Sequence, residues 1–172
     1  MTTGALAQQR FRFWRHLVAD HHVARRAFPP AVLDRIQRAI ADGERHHSGQ
    51  VCFAVEAALP LALVLQHETP RARAVETFGR LRVWDTEHNS GVLVYLLLAD
   101  KDVEIVADRG IHRKVGDTAW QDICRTMEVA FGEGRFEQGA VAGIEAISAL
   151  LARHFPREDA GANELADRPV IL

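Results

Sequence analysis

Cysteine is nearly absent from this 172-residue chain, with only Cys52 and Cys124 present. Each sits in an apolar pattern, Cys52 on a strand and Cys124 on a helix. They therefore read as reduced thiols packed as small hydrophobes, not as a disulfide or a redox pair. A basic excess is missing as well. Twenty-one Lys and Arg stand against 23 Asp and Glu, for a net charge of -2, which gives no ground for nucleic acid as a partner. Long apolar runs are lacking too. The longest, 92–99, falls far short of the roughly 20 residues that a membrane-spanning helix needs. The opening stretch MTTGALAQQRFRFWRHL is interrupted by Arg10, Arg12 and Arg15 where a signal peptide would be apolar, so the expectation is a cytoplasmic protein without a membrane segment. No internal repeat occurs, and no G-x-S-x-G elbow, P-loop, H-E-x-x-H or C-x-x-C. With hydrophobic residues at 48%, what remains is one domain able to bury a core.

Periodicity divides the chain into three parts. Residues 1–47 read as an N-terminal helical extension. Phe11, Trp14, Leu17, Val18 and His21 recur at helical spacing over 7–27, and Phe28-Pro29-Pro30 breaks the pattern. A second helix is predicted over 30–46, with Pro30 in its first turn. Residues 48–156 form the main unit. QVCFAVEA at 50–57 is an apolar strand, and Thr69-Pro70 caps a helix that runs to about 81. The run 91–99 lacks polar alternation and reads as a central strand covered on both faces. Asp100-Lys101 turns the chain, and 103–107 returns antiparallel. Strand, helix, strand over this distance predicts a right-handed crossover. Two amphipathic helices follow. The first is capped by Asp117 or Thr118 and stopped by Gly132-Glu133-Gly134, and the second spans 136–154. Residues 157–172 read as a polar, mobile tail with an apolar tip, Pro169-Val170-Ile171-Leu172.

The crossover and the hairpin place two polar segments at one end of the sheet. One is the loop Asp85-Thr86-Glu87-His88-Asn89, and the other is Asp108-Arg109 at the end of the return strand. The segment 111–117 then leads to a helix N-terminus, so Asp85, Glu87, Asn89, Asp108 and Asp117 become a candidate oxygen-ligand set. Hard oxygen donors of this kind suit calcium or magnesium. The plainer reading has Asp85 and Asn89 making turn hydrogen bonds and Asp117 capping its helix. Arg109 and Lys114 are candidates for a phosphate, or ordinary solvated charge. Glu56, Asp100 and Asp102 gather at the opposite edge as a secondary acidic group. The nine histidines, including His16 and the pairs His21-His22 and His46-His47, read as surface residues of helices and turns.

At these residues the chain resembles the TPM domain family, named for a thylakoid lumen phosphatase and related proteins. The resemblance covers 49–155. It rests on NSGVLVYLLLADKDVEIVADRGI, which looks like the family's strand entry, charged hairpin turn and following glycine segment, and on FGEGRFEQGAVAGIEAISALL, which looks like its final helices. It implies an α/β fold, a Rossmann-like three-layer α/β/α sandwich with a small mixed central sheet. It also implies acid phosphatase activity in some members and a divalent cation, notably calcium, near acidic loops. The matching positions here are Asp85, Asn89, Asp108 and Asp117. Where the family often places an aromatic between two glycines, this chain has Ala107-Asp108-Arg109-Gly110.

Two functional readings follow. In the first, the protein is a non-enzymatic binding or accessory module whose acidic, cation-holding edge recruits a protein partner. In the second, it is a metal-assisted phosphomonoester hydrolase acting on a phosphorylated small molecule. Asp85, Asp108 and Asp117 would then hold the cation that neutralises phosphate and orients water, and Arg109 would assist the developing charge.

Overall fold

The computed structural model describes residues 3–157 and 163–172, and among them eight helices and four strands follow one another along the chain. The stretch predicted as one helix over 7–27 is two, α1 (Thr3–Val18) and α2 (His21–Ala27). Asp20 makes the break. Its backbone is extended, and its carboxylate accepts the amides of His22 and Val23, which starts a new helix. Pro30 then opens α3 (Pro30–Glu44) at a position where its missing N–H is harmless.

Next come β1 (Gln50–Glu56), a one-turn α4 (Leu61–Leu65) inside the expected connection, and α5 (Pro70–Arg80). The Thr69 hydroxyl caps α5 by accepting the Ala72 amide, as its Thr-Pro start predicts. β2 (Gly91–Leu97) and β3 (Asp102–Ala107) form the hairpin, with Lys101 left-handed in its turn at φ 54°. The lead-in after β3 is helical, α6 (Arg109–Val115), which the sequence reading left as a plain connection. α7 (Asp117–Gly132), α8 (Phe136–His154) and a short β4 (Val170–Ile171) complete the chain.

The sheet order is β3-β2-β1-β4, with β1 parallel to β2 and β4, and β3 antiparallel to β2. Gln50 stands opposite Gly91, and Glu56 opposite Leu97. Alternation along the strands feeds two cores. Val51, Phe53, Val55, Val92, Val94 and Leu96 face α2, α3, α6, α7 and α8. Cys52, Ala54, Leu93, Tyr95 and Leu97 face Phe13 of α1, Val64 of α4, and Ala74 and Phe78 of α5. This is the three-layer α/β/α sandwich that the resemblance implies.

α3 belongs to the larger of these cores. It lies along α8 and sends Ile36 and Ile40 in beside Phe53 and Ile144. The described part of the tail is held at two places, while 158–162 lie outside the described residues. The Glu164 and Leu165 amides donate to Gln50 Oε1, and the apolar tip pairs as a strand, Val170 opposite Ala54 and Ile171 opposite Val55. Val170 and Ile171 are half-buried and pack on opposite faces of the sheet.

Candidate functional site

The two polar segments expected together do meet at the amino ends of β1 and β2. The Asp108 amide donates to Gly91 O at 2.9 Å, and the Gly91 amide donates back to Asp108 Oδ2 at 3.3 Å. Asn89 is left-handed at φ 49°, and its carbonyl oxygen lies 3.3 Å from where a Cβ on Gly110 would stand. Gly91 is itself closely approached from the other side, since a Cβ there would come within 1.9 Å of the Val83 carbonyl oxygen.

The acids themselves do not converge. Thr86 organises the loop, its hydroxyl accepting the Ser90 amide at 2.8 Å and its carbonyl the Asn89 amide at 3.2 Å. Asp85 and Glu87 are exposed, and the Glu87 amide donates to Glu164 of the tail. Asp117 lies beyond α6, a helix of about 10 Å at 1.5 Å per residue, and pairs with His112 at 3.3 Å with its side chain 77% exposed. Arg109 is exposed, and Lys114 sits 4.3 Å over the Phe155 ring instead of beside it. Only Asp108 is half-buried. Burial raises its carboxyl above the ordinary value, against the pull of the Gly91 amide and Arg109.

A divalent cation therefore meets a poor donor set at this edge. Calcium takes six to eight oxygens, and among the described residues no three His, Cys, Asp or Glu side chains are grouped to hold a metal ion. The separation of Asp117 is the physical reason. Residues 109–115 coil into α6, and Asp117 opens the next helix beyond it.

The denser polar chemistry is at the carboxyl ends of β1 and β2, the edge that ranked second from sequence. Glu56 closes β1 and is buried. Arg73 of α5 grips it with two hydrogen bonds, Nε to Oε2 at 2.9 Å and Nη2 to Oε1 at 2.8 Å, and Tyr95 donates its hydroxyl to Oε2 at 2.7 Å. Arg73 Nη1 also reaches Glu76. Burial, with Glu56 beside it, pushes the Tyr95 phenol far above its usual range.

A second cluster hangs from the β2–β3 turn. Asp100 takes Arg12 Nε at 2.8 Å and Arg15 Nη2 at 2.7 Å, with His16 Nε2 at 3.2 Å. Burial alone would raise its carboxyl, but His16 and Arg12 outweigh that and hold it below the ordinary value. His16 is buried, not on the surface as expected. The Leu59 amide donates to its Nδ1 at 2.9 Å, which puts the ring proton on Nε2, toward Asp100.

Between the α1–α2 corner and the loop after β1 lies an open pocket of about 370 Å³, bordered by His16, Asp20, His21, Glu56, Leu59 and Leu172. Sequence reasoning missed Arg12, Arg15, His16, Arg73 and Tyr95. The available signals were an acid closing an apolar strand and a lone tyrosine inside an apolar run, each of which needs a buried partner. His47 was also misread, because it is fully buried under the amino end of β1. Both thiols are free. Cys52 is buried and Cys124 half-buried, and burial raises them to about 11 and about 12.

With this geometry in place, comparison with known proteins finds the following. The model of the TPM domain family matches residues 24–150, a span that takes in α3 and ends inside α8. Among solved structures, the chain is similar to the BA42 protein of the psychrophilic bacterium Bizionia argentinensis, determined by NMR. The TM-score is 0.73 and the identity 29%, over 83% of this chain and 93% of that one. No curated protein matches.

Proposed function

Since the chain belongs to the TPM domain family, we propose that it works as a non-enzymatic binding module, an accessory domain that seats a ligand at the carboxyl edge of its sheet. One observation carries this reading: the two acids that close the strand and the turn there are already held by partners, while Asp102, which burial raises to about 6, is not among the residues that border the pocket. Glu56 is closed by Arg73 and Tyr95, and Asp100 by Arg12, Arg15 and His16. General acid–base catalysis needs a group that exchanges a proton near the working pH, and nucleophilic catalysis needs an activated nucleophile. His16 has its basic nitrogen occupied by the Leu59 amide, and burial raises both Tyr95 and Cys52. What this arrangement offers is rigidity. The pocket combines apolar Leu17, Leu59 and Leu61 with polar His16, Asp20 and His21, which suits a small amphiphilic ligand or one side chain of a partner. Ligands of α/β sheets commonly sit beyond the carboxyl ends of the strands, which agrees with this placement.

A second reading, phosphomonoester hydrolysis, draws on the amino edge. The matching family model carries phosphatase in its name, and Asp108 there is a half-buried carboxyl raised above its ordinary value. Hydrolysis of p-nitrophenyl phosphate, with calcium, magnesium or manganese added in turn, separates the two. The binding reading expects background rates in the wild type and in Asp108→Asn alike. Metal-dependent turnover abolished by Asp108→Asn replaces it with the hydrolase. Amide chemical shifts followed against a library of small amphiphilic fragments test the seat itself. Shifts gathered on Leu17, Ala58 and Leu59 support it, and a library that perturbs none of them removes it.

A further inference from the structure

The outer face of α1 carries a surface unlike the rest of the molecule. Phe11, Trp14 and Val18 stand at i, i+3 and i+7 with 66%, 59% and 71% of their surface exposed, and Leu17 beside them is 46% exposed. The opposite face of the same helix is tied down, through Arg12 and His16 to Asp100 and through Phe13 to the core under the sheet. Among the described residues nothing packs on the outer face, so two large aromatic rings are held in water on a rigid helix. Monomeric proteins seldom carry so apolar a stripe without a use for it.

The charge around the stripe says what it meets. Residues 1–27 hold five arginines against one acid, Asp20, while the remainder holds sixteen basic and twenty-two acidic residues. Arg15 lies 5.4 Å over the Phe11 ring, and α2 adds exposed Arg25 and Arg26 together with His21 and His22. A second copy docking symmetrically through this face would set one arginine-rich segment against another, which opposes pairing. Arg12 and Arg15 of α1 are engaged by Asp100, so among the described residues the free cationic charge beside the stripe is Arg25 and Arg26 of α2. A helix with Phe, Trp, Leu and Val outward next to such a pair has the composition of an interfacial surface. In such helices the rings enter the boundary between headgroups and acyl chains, and the guanidinium groups meet phosphates.

We propose that α1, with α2 beside it, docks this protein flat on an anionic lipid surface. No described helix is long and apolar enough to cross a membrane, and docking of this kind asks for none. The inference shares Leu17 and His21 with the pocket but rests on Phe11, Trp14, Val18, Arg25 and Arg26, which do not border it, so failure of one reading leaves the other in place.

The experiment is co-sedimentation of the full chain with vesicles of phosphatidylcholine, with and without a minority of phosphatidylglycerol. Trp14 emission is read in a Trp84→Phe background, in which buried Trp120 stays constant. Binding to the anionic vesicles alone is expected, weakening with salt, with a blue shift of Trp14. Phe11→Ser/Trp14→Ser should weaken it by about tenfold or more. Arg25→Gln and Arg26→Gln should each weaken it by about fivefold. All four side chains are exposed, so an unchanged melting temperature separates lost docking from lost folding. Equal binding to neutral vesicles, no binding to either, or binding indifferent to both sets of variants overturns the proposal. So does a wild-type dimer that Phe11→Ser/Trp14→Ser converts to monomer, since a second copy would then be what covers the face.

Discussion

Under the amino end of β1, two buried groups titrate against each other, and Glu44→Gln should expose them. Glu44 ends α3, and its Oε1 accepts the Val51 amide at 2.7 Å. Burial pushes its carboxyl up to about 7. The Val51 amide works against that shift, nearby Asp167 adds to it, and Arg157 reduces it. His47, three residues on, is fully buried with Nδ1 3.0 Å from the Gly49 carbonyl. Burial pulls it down to about 4, the Gly49 carbonyl opposing and His46 and Arg157 adding to the fall.

The two act with opposite sign. Between pH 4.5 and about 7 the folded chain keeps a proton on Glu44 that the unfolded chain has released. Its stabilising contribution is therefore whole below pH 4.5 and is lost as pH rises through 7, a change of about 3 kcal/mol. His47 is the reverse: its contribution is whole above pH 6.5 and is lost as pH falls through about 4, again by about 3 kcal/mol. Between 4.5 and 6.5 the slopes of this pair cancel. Glutamine mimics the protonated acid and keeps the bond to the Val51 amide. Glu44→Gln should therefore match the wild type at pH 4.5 and exceed it by about 3 kcal/mol at pH 8, or roughly 6–12 °C in melting temperature. It should also fall steeply from pH 6.5 to 4, with His47 no longer offset. Urea unfolding at stepped pH reads all three. A stability gap that stays constant from pH 4.5 to 8 would refute the reasoning.

Other perturbations probe the rest of the framework. Arg73→Met leaves Glu56 buried without its two-bond partner and should cost about 3–5 kcal/mol in urea unfolding, most of it regained in Glu56→Gln/Arg73→Met. Gly91→Ala drives a Cβ into the backbone oxygen of Val83 and should cost about 3 kcal/mol, whereas the nearest atoms to a Cβ at Gly143 belong to the Met127 side chain, which can shift, so Gly143→Ala should cost less by the same measurement. Asp100→Asn strips charge from the group that holds Arg12, Arg15 and His16, and limited proteolysis should then cut within α1 well before the sheet opens.

What was readable in the sequence was what neighbours in sequence determine. Thr69-Pro70 starts α5 and Gly132-Glu133-Gly134 stops α7, because caps act within one turn. The eight apolar residues 92–99 announced a central strand, since only cover on both faces tolerates them. The candidate acids were grouped at the correct edge, but in the structure short-range bonds take precedence. Thr86 ties down its own loop, Asp108 exchanges bonds with Gly91, and α6 carries Asp117 away. The clusters that matter at the other edge join residues far apart in the chain, Glu56 to Tyr95 and Arg12 to Asp100. No local pattern signals such pairs until folding brings β2 beside β1 and lays α1 across the turn. A charge closing an apolar strand and a tyrosine inside an apolar run show only that some partner is needed, because a buried polar group without one would be too costly to keep, and do not say which residue it is.

The sheet edges narrow how this domain can meet other molecules. An open edge strand offers unpaired amides and carbonyls to any passing strand. On β3 that offer is blunted, because Arg71 Nη1 donates to the Ile105 carbonyl at 2.6 Å and Glu128 Oε1 accepts the Val103 amide at 3.1 Å. At the opposite edge β4 spans two residues, too short a template to fix a register. Association by sheet extension is thus discouraged on both sides, and the helical layers are left as contact surfaces. Of these, α1 alone among the described helices sets Phe, Trp, Leu and Val outward on one stripe while Arg12, Arg15 and His16 anchor its other side to Asp100. A helix anchored in this way gives up little conformational freedom when its outer face is covered, so the apolar area it buries there converts to affinity with little loss.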